Sequence, residues 1–418
     1  MLDIKFIREN PEKVKEGLKK RGENPGLVDK VLEADKKRRE FLQKSEKLRF
    51  QRKKLSNSPQ DLEEAKKIKI AFKEAEKNLK EAENEFEALM YQLPNLPLAN
   101  VPFGRSEKDN VVVKTVGEIP HFDFPVKDYL EIAKKFDLID TERAAKTSGT
   151  RFGFLKRELV LLEFALVRLA IDSLLKEGFI PLIPPVMIKP EMMRAMGYID
   201  TPADLEERYF LEKDNLVLVG TSEQVIGPMH QGEIFEEKDL PRRYVGFSSC
   251  FRREAGSYGK DTKGILRVHQ FDKVEMFSFE RAENSEKEHQ FLIKMAENLI
   301  AKLGLPYRMV QLCTADLARP SAVTFDIEVW LPGQGCYRET NSISNCTDFQ
   351  ARRLNIRYKK RQTNKLEFVH TLNGTAFAIG RVLIAIIENY QQKNGKIKVP
   401  TALLPYLDFE EIPSWEID

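Results

Sequence analysis

Residues 243–276 read RYVGFSSCFRREAGSYGKDTKGILRVHQFDKVEM, which predicts two β-strands joined by a polar loop over 255–264. Successive side chains of a strand point to opposite faces of its sheet. A strand over 245–254 therefore places on one face Gly246, Ser248, Cys250, Arg252 and Glu254. The second strand places on one face Arg267, His269, Phe271, Lys273 and Glu275.

Small residues beside a wall of charged and aromatic side chains suit the floor of a pocket better than a hydrophobic core. The alternative is a sheet surface that faces solvent. Phe271 amid the charges, and the glycine on the face that carries Arg252, favour the pocket.

Residues 373–381 (NGTAFAIGR) lead into a helix with an apolar stripe at Ile379, Val382, Leu383, Ile386, Ile387 and Tyr390, so the helix is expected to be buried. Arg381 lies in its first turns and has no acidic neighbour before Glu388. A largely buried guanidinium needs a paired anion. Either a remote carboxylate or a bound phosphate supplies that anion.

Residues 178–187 (GFIPLIPPVM) end a long helix at Gly178 and continue as an extended, proline-bearing strand. Proline confines such a strand to a sheet edge, where a partner can dock. Around these motifs, helices near 127–136 and 156–177 and many short β-like runs predict an α+β domain with a mainly antiparallel sheet.

The segment from about 27 to 93 is rich in Lys, Arg and Glu, and its apolar residues recur every seven positions on both sides of a turn over 56–60. The repeating positions are Ala34, Phe41, Leu48 and Leu55, then Ala65, Phe72, Leu79 and Phe86, with Ile68, Ala75, Ala82 and Leu89 three residues further on. Two such helices joined by a short turn predict an antiparallel coiled-coil hairpin, each arm about 45 Å long.

This hairpin has two interpretations. It is a solvated coiled coil used for dimerisation, or an arm that contacts a phosphate backbone. Basic residues near the turn favour the second; they are Lys44, Lys47, Arg49, Arg52, Lys53 and Lys54. A short helix over 10–21 precedes the arm, and a proline-rich linker over 93–102 follows it. We therefore predict an N-terminal domain over 1–105 and a second domain over 106–418.

The composition sets further limits. The net charge is only +3, so any nucleic-acid surface must come from local clustering of basic residues. The four cysteines have no C-x-x-C spacing, so neither zinc nor a disulfide framework is expected. No apolar run approaches the roughly 20 residues that span a bilayer, and no signal peptide is seen, so we expect a cytoplasmic protein.

Three of these segments resemble the signature motifs of class II aminoacyl-tRNA synthetases. Residues 178–187, with Pro185, resemble the dimer-interface motif; residues 251–275 resemble the second motif, and residues 374–381 the third. Within that class the chain is similar to the seryl-tRNA synthetases over nearly its whole length. The specific segments are TSE at 221–223, RREAGS at 252–257, RVHQF at 267–271, ETNS at 339–342 and TLNGT at 371–375, besides the coiled-coil hairpin.

The resemblance implies a set of site residues. For ATP they are Arg252, Arg253, Glu254, Val268, Phe271, Glu339, Thr340, Asn341, Ser342 and Arg381, and for serine Thr221, Ser222, Glu223, Arg252, Glu275 and Thr375. Arg252, Arg381 and Glu275 would be catalytic, Glu339 and Ser342 would hold Mg²⁺, and Pro185 would lie at a homodimer interface. The six basic residues of the arm would bind the serine tRNA, and selenocysteine tRNA is a further expected acceptor.

Two alternative functions are open at this point. A sister ligase that loads another small amino acid, or loads a carrier protein, is expected to lack the hairpin or the TSE segment. A non-catalytic RNA-binding paralogue is expected to have lost Arg252, Glu275 or Arg381. All of these features are present, so the sequence favours the synthetase.

Overall fold

The computed structural model describes residues 1–54, 59–255 and 263–414, with the side chains of 59–62 excepted. The chain divides into two compact units, Met1–Leu96 and Pro97–Asp418. The predicted turn over 56–60 lies largely outside the described residues, as does most of the predicted loop over 255–264.

The helices and strands follow in chain order. The first unit contains α1 (Ile4–Glu9), α2 (Pro11–Lys20), α3 (Gly26–Lys54) and α4 (Pro59–Gln92). The helices of the second unit are α5 (Tyr129–Lys135), α6 (Thr141–Ser148), α7 (Glu158–Leu175), α8 (Pro190–Met196), α9 (Pro202–Glu206), α10 (Glu223–Ile226), α11 (Ser285–Lys302), α12 (Phe349–Leu354) and α13 (Ile379–Asn389). Its strands are β1 (Val111–Val116), β2 (Ile139–Asp140), β3 (Phe154–Leu155), β4 (Ile180–Leu182), β5 (Met187–Ile188), β6 (Phe210–Leu211), β7 (Leu216–Leu218), β8 (Ile234–Glu236), β9 (Arg242–Phe251), β10 (Gln270–Glu280), β11 (Tyr307–Gln311), β12 (Val323–Leu331), β13 (Cys336–Asn345), β14 (Arg357–Lys359), β15 (Leu366–Phe368), β16 (His370–Ala378), β17 (Ile397–Lys398) and β18 (Glu411–Ile412).

The predicted hairpin is confirmed, since α3 and α4 pack against each other along their length. Ala34, Ala75 and Ala82 are buried, and the larger seam residues between them are partly buried, while most residues on the outer faces are exposed. Arg38 lies over the Phe86 ring at 4.8 Å, and Arg52 over the Phe72 ring at 5.5 Å. The two pairs are fourteen residues apart on each helix, so α3 and α4 remain in register between them.

The seam also carries a charged group that the apolar pattern did not predict. Asp35 is fully buried and pairs with Arg38 at 3.0 Å, Arg39 at 2.9 Å and Arg8 of α1 at 3.6 Å. A buried carboxylate is stable only with such partners. Asp35 thus ties the base of the arm to α1.

The segment after the arm belongs to the second unit from Pro97 onward, whereas the sequence analysis placed the boundary after residue 105. The reason is a series of hydrogen bonds. Leu98 N donates to the Ala322 carbonyl at 2.9 Å, and Thr314 N donates to the Pro102 carbonyl at 2.9 Å. Gly104 N donates to Thr314 Oγ1 at 3.3 Å.

The second unit is built on an eight-stranded sheet with the order β1-β11-β12-β13-β16-β10-β9-β4. Neighbouring strands are antiparallel except for β4 and β9, which confirms the mainly antiparallel prediction. The predicted helices near 127–136, 156–177 and 379–390 are present as α5, α7 and α13. The stripe of α13 from Ile379 to Ile387 is buried, as predicted.

One face of the sheet is covered by helices. Val274 and Met276 of β10 pack in one core with apolar residues of α7, α11 and α13. The alternate side chains of β10, those of Phe271, Lys273 and Glu275, point to the other face and line a cavity there. The alternation predicted for this strand therefore places its core residues on one face of the sheet and its cavity-lining residues on the other.

Two strand predictions need correction. Strand β9 ends at Phe251 and β10 begins at Gln270, so Arg252, Glu254, Arg267 and His269 lie in the connecting segment and not on strand faces. Phe251 and Gln270 are the last paired residues. Glu254 then adopts a positive φ of 52°, which takes the chain out of the sheet.

The proline-bearing segment is also not one strand. Pro181 lies in β4 at the edge of the main sheet, as predicted, but β5 pairs with β7 in a separate sheet. Pro185 lies between β4 and β5 and is exposed. Two consecutive prolines supply no backbone N–H, so the ladder ends before them.

Cys250, Cys313 and Cys346 are buried, Cys336 is partly exposed, and none of the four forms a disulfide. Among the residues described, no three His, Cys, Asp or Glu side chains form a metal cluster. Within the same ranges, no helix combines the length and apolar character needed to cross a membrane.

Glu163 of α7 is a buried carboxyl whose protonation should affect stability. Burial, and then the neighbouring carboxylate of Asp272, raises the pKa of Glu163 to about 8. Asp272 itself accepts a hydrogen bond from Ser249 Oγ at 2.5 Å. In the folded protein Glu163 therefore keeps its proton at pH values where the unfolded chain has lost it.

Between pH 4.5 and about 8 the folded state binds more protons at this group than the unfolded state does, so the free energy of unfolding falls as the pH rises. Above that range the contribution of Glu163 no longer changes with pH. Glu163→Gln has no proton to lose. Its melting temperature relative to the wild type should increase from pH 5 to pH 8.5 by about 2 °C or more. Glu286→Gln, at an exposed site on α11, is the control. A Glu163→Gln difference that stays the same at both pH values would contradict the prediction.

Candidate active site

A cavity of about 530 Å³ opens on the uncovered face of the sheet. It is bordered by β10, β13 and β16, by the segment that connects β9 to β10, and by residues 221–224 around the start of α10. Most of the predicted site residues line it together; they are Thr221, Glu223, Arg252, Glu254, Val268, Phe271, Glu275, Glu339, Thr340, Ser342, Thr375 and Arg381. These side chains come from segments far apart in sequence.

Arg252 enters the cavity directly after β9. Its backbone N–H donates to the His269 carbonyl at 3.0 Å, and its own carbonyl accepts from His269 Nδ1 at 3.0 Å. The side chain donates from Nε to the Gly220 carbonyl at 3.3 Å and lies over the Phe271 ring at 5.3 Å. These contacts fix the position of the guanidinium in the lining of the cavity.

Glu254 lines the same cavity as Phe271 and Val268. Its Oε2 pairs with Arg267 Nη1 at 2.7 Å, and its N–H donates to Glu207 Oε2 at 3.1 Å. Its carbonyl accepts from Arg151 Nη1 at 3.2 Å. The glutamate is therefore fixed in place although it lies in a loop.

A second region of the cavity holds two buried carboxyl groups, Glu223 and Glu275. Thr375 Oγ1 donates to Glu275 Oε2 at 3.2 Å, and the hydroxyl of Tyr198 donates to Glu223. Burial, and then Glu275, raises the pKa of Glu223 to about 8. We call Thr221, Glu223, Glu275 and Thr375 the carboxyl corner.

Arg381 has a carboxylate partner in this structure, which is one of the two anions considered for it. Glu339, which is remote in sequence, is its anion: Arg381 Nη1 lies 3.1 Å from Glu339 Oε2 and donates to the Glu339 carbonyl at 2.8 Å. Burial opposes ionisation of Glu339, but Arg381 and then Arg252 outweigh it and hold its pKa below the ordinary value. The Arg381 side chain is 26% exposed, so it remains open to the cavity.

Glu339 and Ser342 line the cavity together and offer a carboxylate and a hydroxyl. Behind them, Asp326 is hydrogen-bonded to Ser342, and its Oδ1 is buried without a partner among the described residues. Oxygen donors from one or two side chains, completed by substrate phosphates and water, are what Mg²⁺ prefers. The donor set therefore fits Mg²⁺.

Three predicted site residues do not line the cavity. Arg253 turns away, stacks on the Tyr209 ring at 4.7 Å and donates to the Arg208 carbonyl at 2.8 Å. Asn341 is fully buried and donates to the carbonyls of Thr375 and Ala376 at 2.9 and 2.8 Å, so it supports β16. Ser222 is also fully buried.

The six basic residues of α3 are all exposed on the arm, as contact with a large anion requires. The cavity also contains residues to which the sequence analysis gave no role, among them Tyr198, Arg208 and Lys273. Lys273 shares a strand face with Phe271 and Glu275, so alternation could have identified it. Tyr198 carries no such signal, because only packing brings it to Glu223.

Comparison with known proteins gives a consistent result over the whole chain. Residues 1–97 match the model of the seryl-tRNA synthetase N-terminal domain, and residues 209–390 match that of the class II tRNA synthetase core domain (G, H, P, S and T). The serine–tRNA ligase of Dictyoglomus turgidum is 46% identical, with 99% of each chain covered.

Two solved structures are similar to this one. The crystal structure of seryl-tRNA synthetase from Pyrococcus horikoshii complexed with ATP has a TM-score of 0.92 and 40% identity, with 99% of each chain covered. The cytoplasmic serine–tRNA ligase from Naegleria fowleri in complex with AMP has a TM-score of 0.89 and 35% identity, covering 99% of this chain and 98% of that one.

Proposed function

The chain belongs to the seryl-tRNA synthetase family, and on that premise we propose how its cavity activates serine and passes it to tRNA. Its activity is that of a serine–tRNA ligase that uses ATP. The observation that carries the proposal is the position of the carboxyl corner beside Arg252 and Arg381 in one cavity. The corner suits a small amino acid, and the two guanidiniums suit a triphosphate.

In the first step, an oxygen of the serine carboxylate attacks the α-phosphorus of ATP, and the bond from that phosphorus to pyrophosphate breaks. No protein nucleophile is needed, because in-line positioning and neutralisation of developing charge suffice. Arg252 bridges the serine carboxylate and the α-phosphate, while Arg381 contacts the γ-phosphate. In this structure Arg381 pairs with the Glu339 carboxylate. On binding, the γ-phosphate would replace that carboxylate as the anion beside Arg381.

The adenine lies on the ring of Phe271, with its amino group directed at Glu254 and the main chain of Val268. The support for this assignment is that all three residues line the same cavity. Glu254 is held by Arg267 and Glu207, which reduces the entropy lost on binding.

Glu339 and Ser342 would hold Mg²⁺. When bound, the ion would neutralise phosphate charge. Asn341, which lies between these two residues on β13, is fully buried and does not line the cavity, so we assign it to support of the strand. Thr340 beside it lines the cavity and stays assigned to the ATP site. Arg253, like Asn341, is assigned a role outside the ATP site.

Serine is selected by polar groups in the carboxyl corner. A carboxylate and a hydroxyl directed at the substrate side chain lose a partner when alanine or glycine binds, and such a mismatch discriminates strongly. Steric fit excludes threonine. In the second step, the 3′ hydroxyl of the terminal adenosine of tRNA attacks the seryl carbonyl, and AMP leaves.

The arm binds the serine tRNA through the six basic residues of α3, and it recognises the shape and backbone of the RNA more than its bases. Their exposure on a long coiled coil supports this role. Charging of selenocysteine tRNA and a cytoplasmic location stay predictions from the sequence.

The protein is proposed to form a homodimer through α7 and β4. Leu161, Phe164 and Leu175 project from one side of α7 and are exposed, Phe164 by 59%, and Ile183 just after β4 is 84% exposed. Large exposed apolar patches mark interaction sites. β4 is also the last strand of its sheet, so a second copy would cover its open edge.

We expect the wild type to sediment as a dimer, and a Phe164→Asp/Ile183→Asp variant to shift to a monomer near 48.3 kDa. The charges would be buried without partners in the interface. Phe103→Asp, at a residue that is 61% exposed elsewhere on the second unit, should leave the dimer intact. A wild type that is a stable, fully active monomer at assay concentration would refute the homodimer.

The proposed activity is tested by ATP–pyrophosphate exchange with each of the twenty amino acids. Serine alone should support exchange. A carrier-protein ligase or a ligase for another amino acid would show a different amino-acid preference, and a non-catalytic paralogue would show no exchange. Either result would overturn the proposal.

A further inference from the structure

We propose that Lys273 is a positioning residue that sets serine specificity, because it occupies one oxygen of Glu275 and leaves the other as the acceptor for substrate. This inference rests on the proposed function. It adds a cation to a corner that otherwise holds two carboxyl groups and two hydroxyls.

The ion pair and the hydrogen bond that Glu275 makes both fall on a single oxygen. Lys273 Nζ lies 2.5 Å from Glu275 Oε2, and Thr375 Oγ1 donates to the same atom at 3.2 Å. Among the described residues, none donates to Oε1. The carboxylate is thus fixed in rotation, and one acceptor remains for a donor in the cavity.

The burial of Lys273 makes this arrangement a strong one. The residue is only 6% exposed and lies between Ser248 of β9 and Ala378 of β16 in the sheet. An ammonium group in such a place needs a counter-charge, and Glu275 supplies it. Both side chains are buried, Lys273 at 6% and Glu275 at 1% exposure, so neither charge is solvated by bulk water.

Lys273 also acts on the neighbouring acids. Burial and Glu275 raise the pKa of Glu223, whereas Lys273 and Arg252 act in the opposite direction. Without Lys273, Glu223 and Glu275 would be two close carboxyl groups that tend to share a proton. A shared proton would turn Glu275 from a pure acceptor into a possible donor.

The consequence is a defined pattern for the amino acid. A single fixed acceptor beside the Thr375 hydroxyl matches a side chain with one hydroxyl donor. Without Lys273 the Glu275 carboxylate would not be held in the orientation that directs its second oxygen at the substrate, and analogues without the hydroxyl would be rejected less strongly. Lys273 therefore contributes to serine affinity without touching the serine.

The test measures pyrophosphate exchange by the full-length Lys273→Met variant. We expect the KM for serine to rise about tenfold or more, as for the removal of a charge-assisted hydrogen bond, while the KM for ATP is unchanged. The ratio of serine to alanine activity should fall. A purely structural role would instead lower kcat or the melting temperature and leave the serine KM and this ratio unchanged.

Lys294→Met, at an exposed site on α11, is the matched control and should behave as the wild type. The single Lys273→Met variant leaves a buried carboxylate without its partner and can fail to fold. The double variant Lys273→Met/Glu275→Gln removes both charges and keeps the test possible. If Lys273 acts through Glu275, the double variant loses no more serine affinity than Glu275→Gln alone.

Additive losses of serine affinity in the double variant, or an unchanged serine KM in a folded Lys273→Met protein, would overturn the inference. The proposed function fails by a different result, namely a wild type without serine-dependent exchange. The two failures are therefore distinguishable.

Discussion

The Arg252→Lys variant should exchange pyrophosphate with serine about a hundredfold or more slowly than the wild type. Lysine keeps the positive charge but binds at a single point, whereas a guanidinium can bind two anions at once with fixed geometry. In this structure the Arg252 guanidinium contacts the Gly220 carbonyl and the Phe271 ring, and its remaining N–H groups are available for substrate, an arrangement that a single ammonium group cannot match. The loss should therefore appear in kcat as well as in KM.

The adjacent Arg253 provides the comparison. It stacks on Tyr209 outside the cavity, so Arg253→Lys should have a much smaller effect on exchange. Both variants change arginine to lysine, and only the position differs. Exchange by Arg252→Lys at the wild-type rate would show that Arg252 does not bridge the substrates.

The second large effect concerns the arm. Deleting residues 43–81 and joining the ends with a short turn should leave serine-dependent exchange intact and abolish transfer to tRNA. Arg38 lies opposite Phe86, and Arg52 lies opposite Phe72, so this deletion cuts both helices at the same height. It keeps the buried Asp35 and removes all six basic residues from Lys44 to Lys54.

Exchange should survive because every proposed contact with serine and ATP lies in the second unit, beyond residue 220. Both activities should be measured on the same preparation. Equal loss of exchange and transfer would mean that the arm supports folding, and undiminished transfer would mean that the arm is not the RNA-binding element.

A full-length variant with the six basic residues changed to glutamine separates charge from length. Its affinity for serine tRNA should be lower. The slope of the logarithm of that affinity against the logarithm of salt concentration should be shallower by roughly 0.7–0.9 for each phosphate that the variant no longer neutralises. The control changes six exposed lysines of the second unit to glutamine; these are Lys108, Lys134, Lys146, Lys176, Lys213 and Lys238. An equal change in slope for both variants would contradict a localised binding surface.

The elements predicted correctly are those whose pattern is local. The seven-residue repeat predicted the hairpin because coiled-coil contacts recur along each helix. Alternation placed Phe271, Lys273 and Glu275 on one face of β10 because a strand has a period of two. The proline in β4 marked a sheet edge because proline cannot donate to a ladder. The resemblance then named the site residues, and most of these residues line one cavity.

The features decided by tertiary structure join segments that are distant in sequence. Glu339 became the partner of Arg381, Tyr198 reached Glu223, and Asp35 was buried among three arginines only after the elements had packed. For the same reason Asn341 and Ser222 face the interior although their neighbours line the cavity. Periodicity reports which face of its own element a residue occupies. The opposing face, and therefore the charge that a buried group meets, is set by packing between elements far apart in the chain.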